Sequence, residues 1–529
     1  MNPKSKIKNQ KSYLVPALIV VLSAAYKLAL LAIGAVPFNG DEAIVALMAR
    51  HIVQGERPVF FYGQAYLGAT DAWLVALSFS IFGESVLAIR LVHVVLFAGV
   101  VFTTYLLAKR YLQSEWGARV AMLWTALPPT MLTLYTTATL GGYTETLLLG
   151  NILLLMAGGG WLLAPDRWHV VRWLVFGLVA GFAFYTFPLV LIYLVPIGLW
   201  LLYRLRAKAW RSYLFAGLSF AIGSAPWWLA LIQSGGVLLA EMTGAAVSGS
   251  VEAPSFIGSL GIRLINFLLF GMSAWWGVRY PWLAEFVLPV LGVVALVFYL
   301  GALGYAVKRG ARLLWGMIAT LGVTYLITSF GGDPSGRYFL PLYLPLAIFT
   351  AMLLQRICKQ NGTLAVLLLV VLLGYNVGAT WLAATRQPPG ITTQFDPITW
   401  IDHTRDQELI DFLVGQGETR GYTNYWVQTP IAFLSNERII SAARLPYHLN
   451  LGYTPRDDRY PPYTQAVREA PRAFYITVNH PPLDALIRER LTALGVTYQE
   501  HSIGSYHIFY GLARKVEPEE LRLHDRLTQ

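Results

Sequence analysis

Long apolar runs alternate with short basic clusters from the N-terminus to about residue 386, and there the pattern breaks. About 20 apolar residues cross the hydrocarbon of a bilayer as a helix. On that measure the runs predict about eleven transmembrane helices, near 13–33, 86–107, 119–135, 144–163, 172–187, 189–203, 212–233, 284–306, 312–330, 338–354 and 363–384. The continuous apolar stretch 171–202 has room for two short spans with a tight turn at Thr186, Phe187 and Pro188. The first run is longer than the apolar core of a signal peptide and has no evident small-residue cleavage site, so it reads as a retained helix.

Two long loops interrupt this series. The first, 34–85, contains an apolar stretch at 60–82 broken by Gly63, Gly68 and Asp71, which reads as helices lying along a membrane surface. The second, 234–282, is rich in Gly and Ser early and in Trp late (Trp275, Trp276, Trp282). Beyond 386 charges become frequent and apolar runs shorten. A helix is predicted at 405–413, a strand at 473–478, a helix at 483–494 and strands at 496–502 and 505–510, the mark of a small α/β domain. The expected architecture is an α-helical polytopic membrane domain, 1–386, followed by an extracytoplasmic α/β domain, 387–529.

Composition agrees with that division. Of 529 residues 56% are hydrophobic and 13% charged, about half the charge of an ordinary soluble domain. The net charge of +11 raises the question of nucleic acid, but its placement answers it. The basic residues fall in clusters between apolar runs: Lys4, Lys6, Lys8 and Lys11; Lys109, Arg110 and Arg119; Arg167 and Arg172; Arg204, Arg206, Lys208 and Arg211; Lys308, Arg309 and Arg312; Arg356 and Lys359. With the spans above, every cluster lies on one side, so the N-terminus is expected in the cytoplasm. The single cysteine, Cys358, makes no internal disulfide.

A carboxylate in or beside the hydrocarbon costs several kcal/mol unless it is paired or hydrated, which makes such residues functional candidates. Asp41 and Glu42, in PFNGDEA, follow the first span on the outer side. They read either as a catalytic or binding pair or as the start of a helix, with Asp41 as its cap. Glu145, in LGGYTETLLLGN, is the lone acid between 120 and 164 and reads either as a site residue or as a first-turn acid favoured by the helix dipole. Arg337, in GGDPSGRYFLPLYLP, has the planar fork of donors that suits a phosphate; as an ordinary interfacial residue it would snorkel, or pair with Asp333. Asp71 and Glu84 read as solvated caps, and His51 and His93 as isolated. No set of His, Cys and acids has metal-ligand spacing along the chain, and there is no Walker loop, GxSxG or strand-linked GxGxxG.

Taken in order, these motifs resemble the GT-C glycosyltransferases, in particular relatives of the protein O-mannosyltransferases and aminoarabinose transferases. An acidic pair opens the first external loop (Asp41, Glu42). The loop runs on through YGQAYLGATDAWLVALSFSIFGESVLAIRLVHVV, with FGES and AIRL the nearest parts. An acid follows the third span (Glu145 in GYTETLLLGN), and GRYFLPLYLP is similar to a late Arg–aromatic–Pro span. The likeness covers about 13–355. The chain departs from it where many relatives carry His-Pro-Pro in the first loop: here the stretch reads Tyr62-Gly63-Gln64-Ala65-Tyr66.

The resemblance implies transfer of a sugar, hexosyl or pentosyl, from a polyprenyl-phosphate donor to an acceptor at the outer face of a bacterial cell membrane, with inversion. The acceptor would be a glycolipid, a glycan or a protein; nucleic acid is no partner. Asp41 is the expected base, with Glu42 and Glu145 supporting it. Arg337 and Tyr338 are expected at the leaving phosphate, and Tyr62, Gln64 and Tyr66 along the sugar pocket. The resemblance fixes no cofactor and leaves room for a divalent cation held by Glu42 and Glu145. Tyr422, Tyr425 and Trp426 in the tail read as core first and as acceptor contacts second. The competing reading is a lipid or sugar transporter, which would show internal repeats and midplane charges; neither is evident in the sequence.

Overall fold

A computed structural model describes residues 3–236, 238, 255–280, 285–386, 390–394, 400–452 and 454–523. Much of the second long loop, including Trp282, and the junction residues 387–389 and 395–399 therefore lie outside the described residues. The chain divides into two compact units. The first comprises 1–36, 66–71 and 87–392; the second comprises 37–65, 72–86 and 393–529.

The first unit is helical. Eight helical stretches among the described residues are long and apolar enough to cross a membrane: Leu14–Ala32, Val86–Leu112, His169–Thr186, Pro188–Gly223, Phe256–Trp275, Pro289–Val307, Arg337–Cys358 and Gly362–Thr385. Helices Tyr143–Gly158 and Arg312–Ile327 are shorter apolar ones. Prolines set several breaks, because the residue before a proline is driven out of the helical region. Phe187, extended at φ −162° and ψ 120°, precedes Pro188 and divides the apolar stretch into helices His169–Thr186 and Leu191–Leu205 at the turn the sequence predicts. Leu127 stands before Pro128-Pro129 and splits the run at 119–135 into helices Glu115–Ala126 and Thr130–Tyr135.

Small residues bring helices close. Gly177 and Gly181, four residues apart on helix His169–Thr186, face helix Trp210–Gly223; a Cβ at either would lie 2.1 Å from the carbonyl oxygen of Ala216 or Phe220. This is the small-xxx-small contact by which helices pack in lipid. The second long loop also differs from expectation. Its later part, Phe256–Trp275, is a helical stretch of membrane-crossing length, with a π turn at Asn266–Gly271. Arg263 and Asn266 interrupt its apolar run in sequence, but each has an internal partner: Arg263 donates to Leu326 O and Asn266 Nδ2 to Gly331 O.

The second unit holds a five-stranded sheet in the order β4-β3-β5-β7-β6. Its strands are β3 (Arg420–Thr423), β4 (Ile440–Ala443), β5 (Phe474–Val478), β6 (Gln499–Ile503) and β7 (Tyr506–Tyr510). Strands β4, β3 and β5 are parallel, with Tyr422 opposite Ala442 and Tyr475; β7 runs antiparallel to β5, and β6 antiparallel to β7. Helix Asp406–Gly415 precedes β3, and helices Tyr425–Leu434, Pro461–Glu469 and Pro481–Ala493 connect the strands. Strand β5 is buried along its whole length, as expected for a strand covered on both faces. Tyr422, Tyr425 and Trp426 are buried in the two apolar clusters of this domain, so all three are core residues.

Helix Gly40–Gln54 from the first loop belongs to the same unit and packs against helix Tyr425–Leu434. The close approach requires Gly40: a Cβ there would come 3.2 Å from Tyr425 O, and the Thr429 hydroxyl donates to Gly40 O at 3.1 Å. Arg50, near the far end of that helix, is ion-paired to Glu84 at 2.7 Å, donates to Phe433 O and lies over the Phe433 ring.

Candidate active site

The residues singled out in the sequence fall into two groups, one in each unit. Glu145, Arg337, Tyr338 and Tyr66 lie in the first; Asp41, Glu42, Tyr62 and Gln64 lie in the second.

In the first unit, Gly141 and Gly142 both take φ of +83°, a left-handed pair that suits glycine, and lead into helix Tyr143–Gly158. Glu145 occupies the first turn of that helix, 2% exposed. Neither of its carboxylate oxygens has a hydrogen-bond partner among the described residues. Two residues the sequence gave no reason to join stand beside it. Asp71 Oδ1 lies 3.2 Å from His93 Nε2, and Asp71 Oδ2 accepts from the Gly141 N–H at 2.9 Å. His93 Nδ1 lies 2.9 Å from the Thr144 hydroxyl. One ligand atom from each of Asp71, His93 and Glu145 lies within 4.8 Å of the others, and all three residues are buried. The expectation that Asp71 is a solvated cap and His93 isolated is therefore corrected. They are 22 residues apart, on helices Thr70–Phe82 and Val86–Leu112, and only packing brings them to Glu145.

Arg337 follows Gly336, whose φ of +84° turns the chain into the 3-10 segment Arg337–Leu342. Its guanidinium is 2.7 Å from Asp333 and 3.2 Å from the Tyr338 hydroxyl. Asp333 is held in turn by the Ser335 N–H. Tyr143 and Tyr338 lie within electrostatic range of this Arg–Asp pair, and Tyr66 within range of those two tyrosines. Segment Arg337–Leu342 packs on helix Tyr143–Gly158, so Arg337 and Glu145 are carried by neighbouring elements.

A further buried cation went unread in the sequence. Lys27, in the first helix, is fully buried; its ammonium donates to Thr133 O and to the hydroxyls of Thr136 and Thr137, at 2.6–3.1 Å. All three of its donors are used. A lone Lys within a long apolar run was the signal available to find it.

In the second unit, Asn39 rather than Asp41 caps helix Gly40–Gln54, its side chain accepting from the Asp41 N–H. Asp41 sits in the first turn, accepts from the Tyr425 hydroxyl at 2.9 Å and lies 3.8 Å from Arg459. Glu42 is buried in the same turn. Burial pushes the neighbouring Asp457 carboxyl up to about 6; Arg459 and a hydrogen bond from Tyr447 oppose the rise, and Asp41 adds to it. Burial also raises the Tyr425 phenol well above its ordinary value, Arg459 opposing it. Gln64 opens strand β2 (Gln64–Gly68), which pairs with β1 (Phe60–Phe61). Tyr62, in the turn between them, donates to Glu56 at 2.6 Å, lies 3.0 Å from His51 and stacks on Tyr460 with ring centres 4.6 Å apart.

No family model matches the chain, and no curated protein matches it by sequence. Solved structures do. The likeness is one of fold and extends over about nine-tenths of the chain. ArnT from Cupriavidus metallidurans in the apo state superposes with a TM-score of 0.55 at 12% identity, covering 88% of this chain and 92% of ArnT. The same protein bound to undecaprenyl phosphate superposes with a TM-score of 0.55 at 13% identity, covering 93% and 97%.

Proposed function

We propose that the chain is a membrane glycosyltransferase that moves a sugar from a polyprenyl-phosphate donor to an acceptor at the outer face of the membrane, inverting the anomeric centre. The observation that carries this reading is the fold, shared over nine-tenths of the chain with an ArnT that holds undecaprenyl phosphate. An integral membrane protein acting on a lipid-linked donor must place its site at headgroup level, and the Arg337–Tyr338 turn offers the chemistry such a donor needs. A guanidinium and a phenol stabilise the phosphate as its bond to the sugar breaks. Asp333 holds that guanidinium in place before the donor arrives.

The acceptor hydroxyl or amine loses its proton as it attacks, and a carboxylate within hydrogen-bond reach takes it. Asp41 is assigned as that base, with Glu42 and Glu145 as supporting acids. Tyr62, Gln64 and Tyr66 are assigned to the sugar. In the same reading 1–386 form the membrane domain, with the N-terminus in the cytoplasm, and 387–529 form the extracytoplasmic domain of a bacterial inner-membrane protein. The sugar is a hexose or a pentose; the acceptor is a glycolipid, a glycan or a protein.

The test is mass spectrometry of envelope lipids and glycans from cells with and without the protein. A species heavier by one sugar, present only with it, is expected. Native mass spectrometry of the purified chain should show bound polyprenyl phosphate, with Arg337→Ala weakening it at least tenfold. Retained lipid binding in that variant, with an unchanged envelope, would sink the assignment.

A further inference from the structure

We propose that Asp71, His93 and Glu145 form a binding site for a divalent first-row metal cation. The first argument is charge. Two carboxylates and an imidazole are buried together in the first unit, their ligand atoms within 4.8 Å of one another. Two buried carboxylates at this spacing repel unless a proton or a cation lies between them. A charged imidazole would cancel one negative charge and leave the other. A divalent cation cancels both.

The second argument is the state of the donors. Glu145 is buried with both carboxylate oxygens lacking hydrogen-bond partners among the described residues. Leaving such a group unsatisfied costs more than an ordinary hydrogen bond returns. The third is the orientation of the imidazole. The Thr144 hydroxyl lies 3.1 Å from Tyr135 O, which only accepts, so the hydroxyl proton is committed there. Its oxygen then accepts from His93 Nδ1–H at 2.9 Å. That tautomer turns the Nε2 lone pair toward Asp71 Oδ1, 3.2 Å away. Lone pair against carboxylate is repulsive, and a cation between them makes the contact attractive. Hydrogen-bonding the far ring nitrogen is how metal-bound histidines are oriented. Ligand bonds of about 2.0–2.2 Å at tetrahedral or octahedral angles put neighbouring donors about 3.0–3.5 Å apart, and the Asp71–His93 separation falls there. Gly141 fixes the second oxygen of Asp71.

One nitrogen and two carboxylates suit zinc or manganese better than magnesium, which prefers oxygen alone. What the cation would do rests on the transferase reading: it is a second positive centre on the helix that packs against the Arg337 turn.

The test is calorimetric titration of the full chain, purified in detergent and stripped with chelator, with Zn2+ alone. One equivalent is expected to bind tightly, and His93→Gln and Asp71→Asn are each expected to weaken it at least tenfold. Thr144→Val, which touches no ligand atom, should weaken it by about tenfold through the freed ring. Absence of a stoichiometric site, or binding unchanged in both ligand variants, overturns the proposal. Where a variant does not fold, X-ray absorption on the zinc-loaded wild type decides: one imidazole with oxygen neighbours supports the site, and several imidazoles or sulfur overturn it. Zinc binding is read without donor or acceptor. No binding alongside sugar transfer removes the metal site alone, and binding without use of a lipid-linked sugar removes the transferase alone.

Discussion

At the scale of single residues, the chemistry assigned here concentrates in a few ionisable groups whose surroundings differ. Asp41 keeps a hydrogen bond from Tyr425 and a cation, Arg459, nearby. An asparagine there still accepts from Tyr425 but takes no proton from an acceptor. Asp41→Asn is therefore expected to fold as the wild type does and to lose a factor of about 10²–10⁴ in transfer rate, read in a reconstituted assay with a lipid-linked sugar. Asp457, two residues from Arg459, is expected to show itself in stability. Its carboxyl rises from 3.8 to about 6 on folding, chiefly through burial. The folded state then binds the proton more tightly than the unfolded chain. The contribution to stability is full below about 3.8 and is lost as pH rises through 6, a loss of up to about 3 kcal/mol. Melting curves of the full chain from pH 4 to 7 should show this decline, and Asp457→Asn should flatten it and raise the melting temperature at pH 7.

At the scale of elements, packing in the first unit depends on where small residues permit contact. Helices His169–Thr186 and Trp210–Gly223 approach through Gly177, Gly181 and Gly223, each lacking room for a side chain. Gly181→Leu must push the helices apart, since the obstructing atom is backbone. A loss of about 2 kcal/mol or more is expected from overpacking, seen as a lower melting temperature in detergent. Gly217→Ala, which meets open space on the same helix pair, should be near neutral. Much at this scale was legible in the chain. The break at Phe187-Pro188 lies where the apolar stretch predicts a turn, and the tail strands β5, β6 and β7 fall within a few residues of expectation. Strands β3 and β4 were not legible: each has four residues, below the length at which alternation carries a signal.

At the scale of the whole molecule, the one cysteine reports sidedness. Cys358 closes helix Tyr343–Cys358 beside Arg356 and Lys359, in a basic cluster expected in the cytoplasm. In intact cells Cys358 should resist a membrane-impermeant maleimide until the membrane is opened. In a Cys358→Ala background, a cysteine introduced by Gln416→Cys, on the exposed end of a tail helix, should react at once. If Phe256–Trp275 adds one crossing to the expected eleven, Cys358 and the tail exchange sides in relation to the N-terminus, and the labelling order would show it.

The sequence by itself determined the solvent of each segment. Apolar run length, basic clusters and the change of composition near residue 386 distinguish lipid from water, because the cost of placing charge or apolar surface in the wrong medium is paid locally. It also marked Glu145 and Arg337, since an acid or an arginine at the edge of an apolar run stands out. Only the tertiary structure decided which groups meet. Asp71 and His93 look ordinary in sequence, and their approach to Glu145 depends on three separate helices packing at one depth. Lys27 is matched to hydroxyls more than a hundred residues away. Contacts of that kind arise from how helices cross, and no period or spacing along a single chain encodes them.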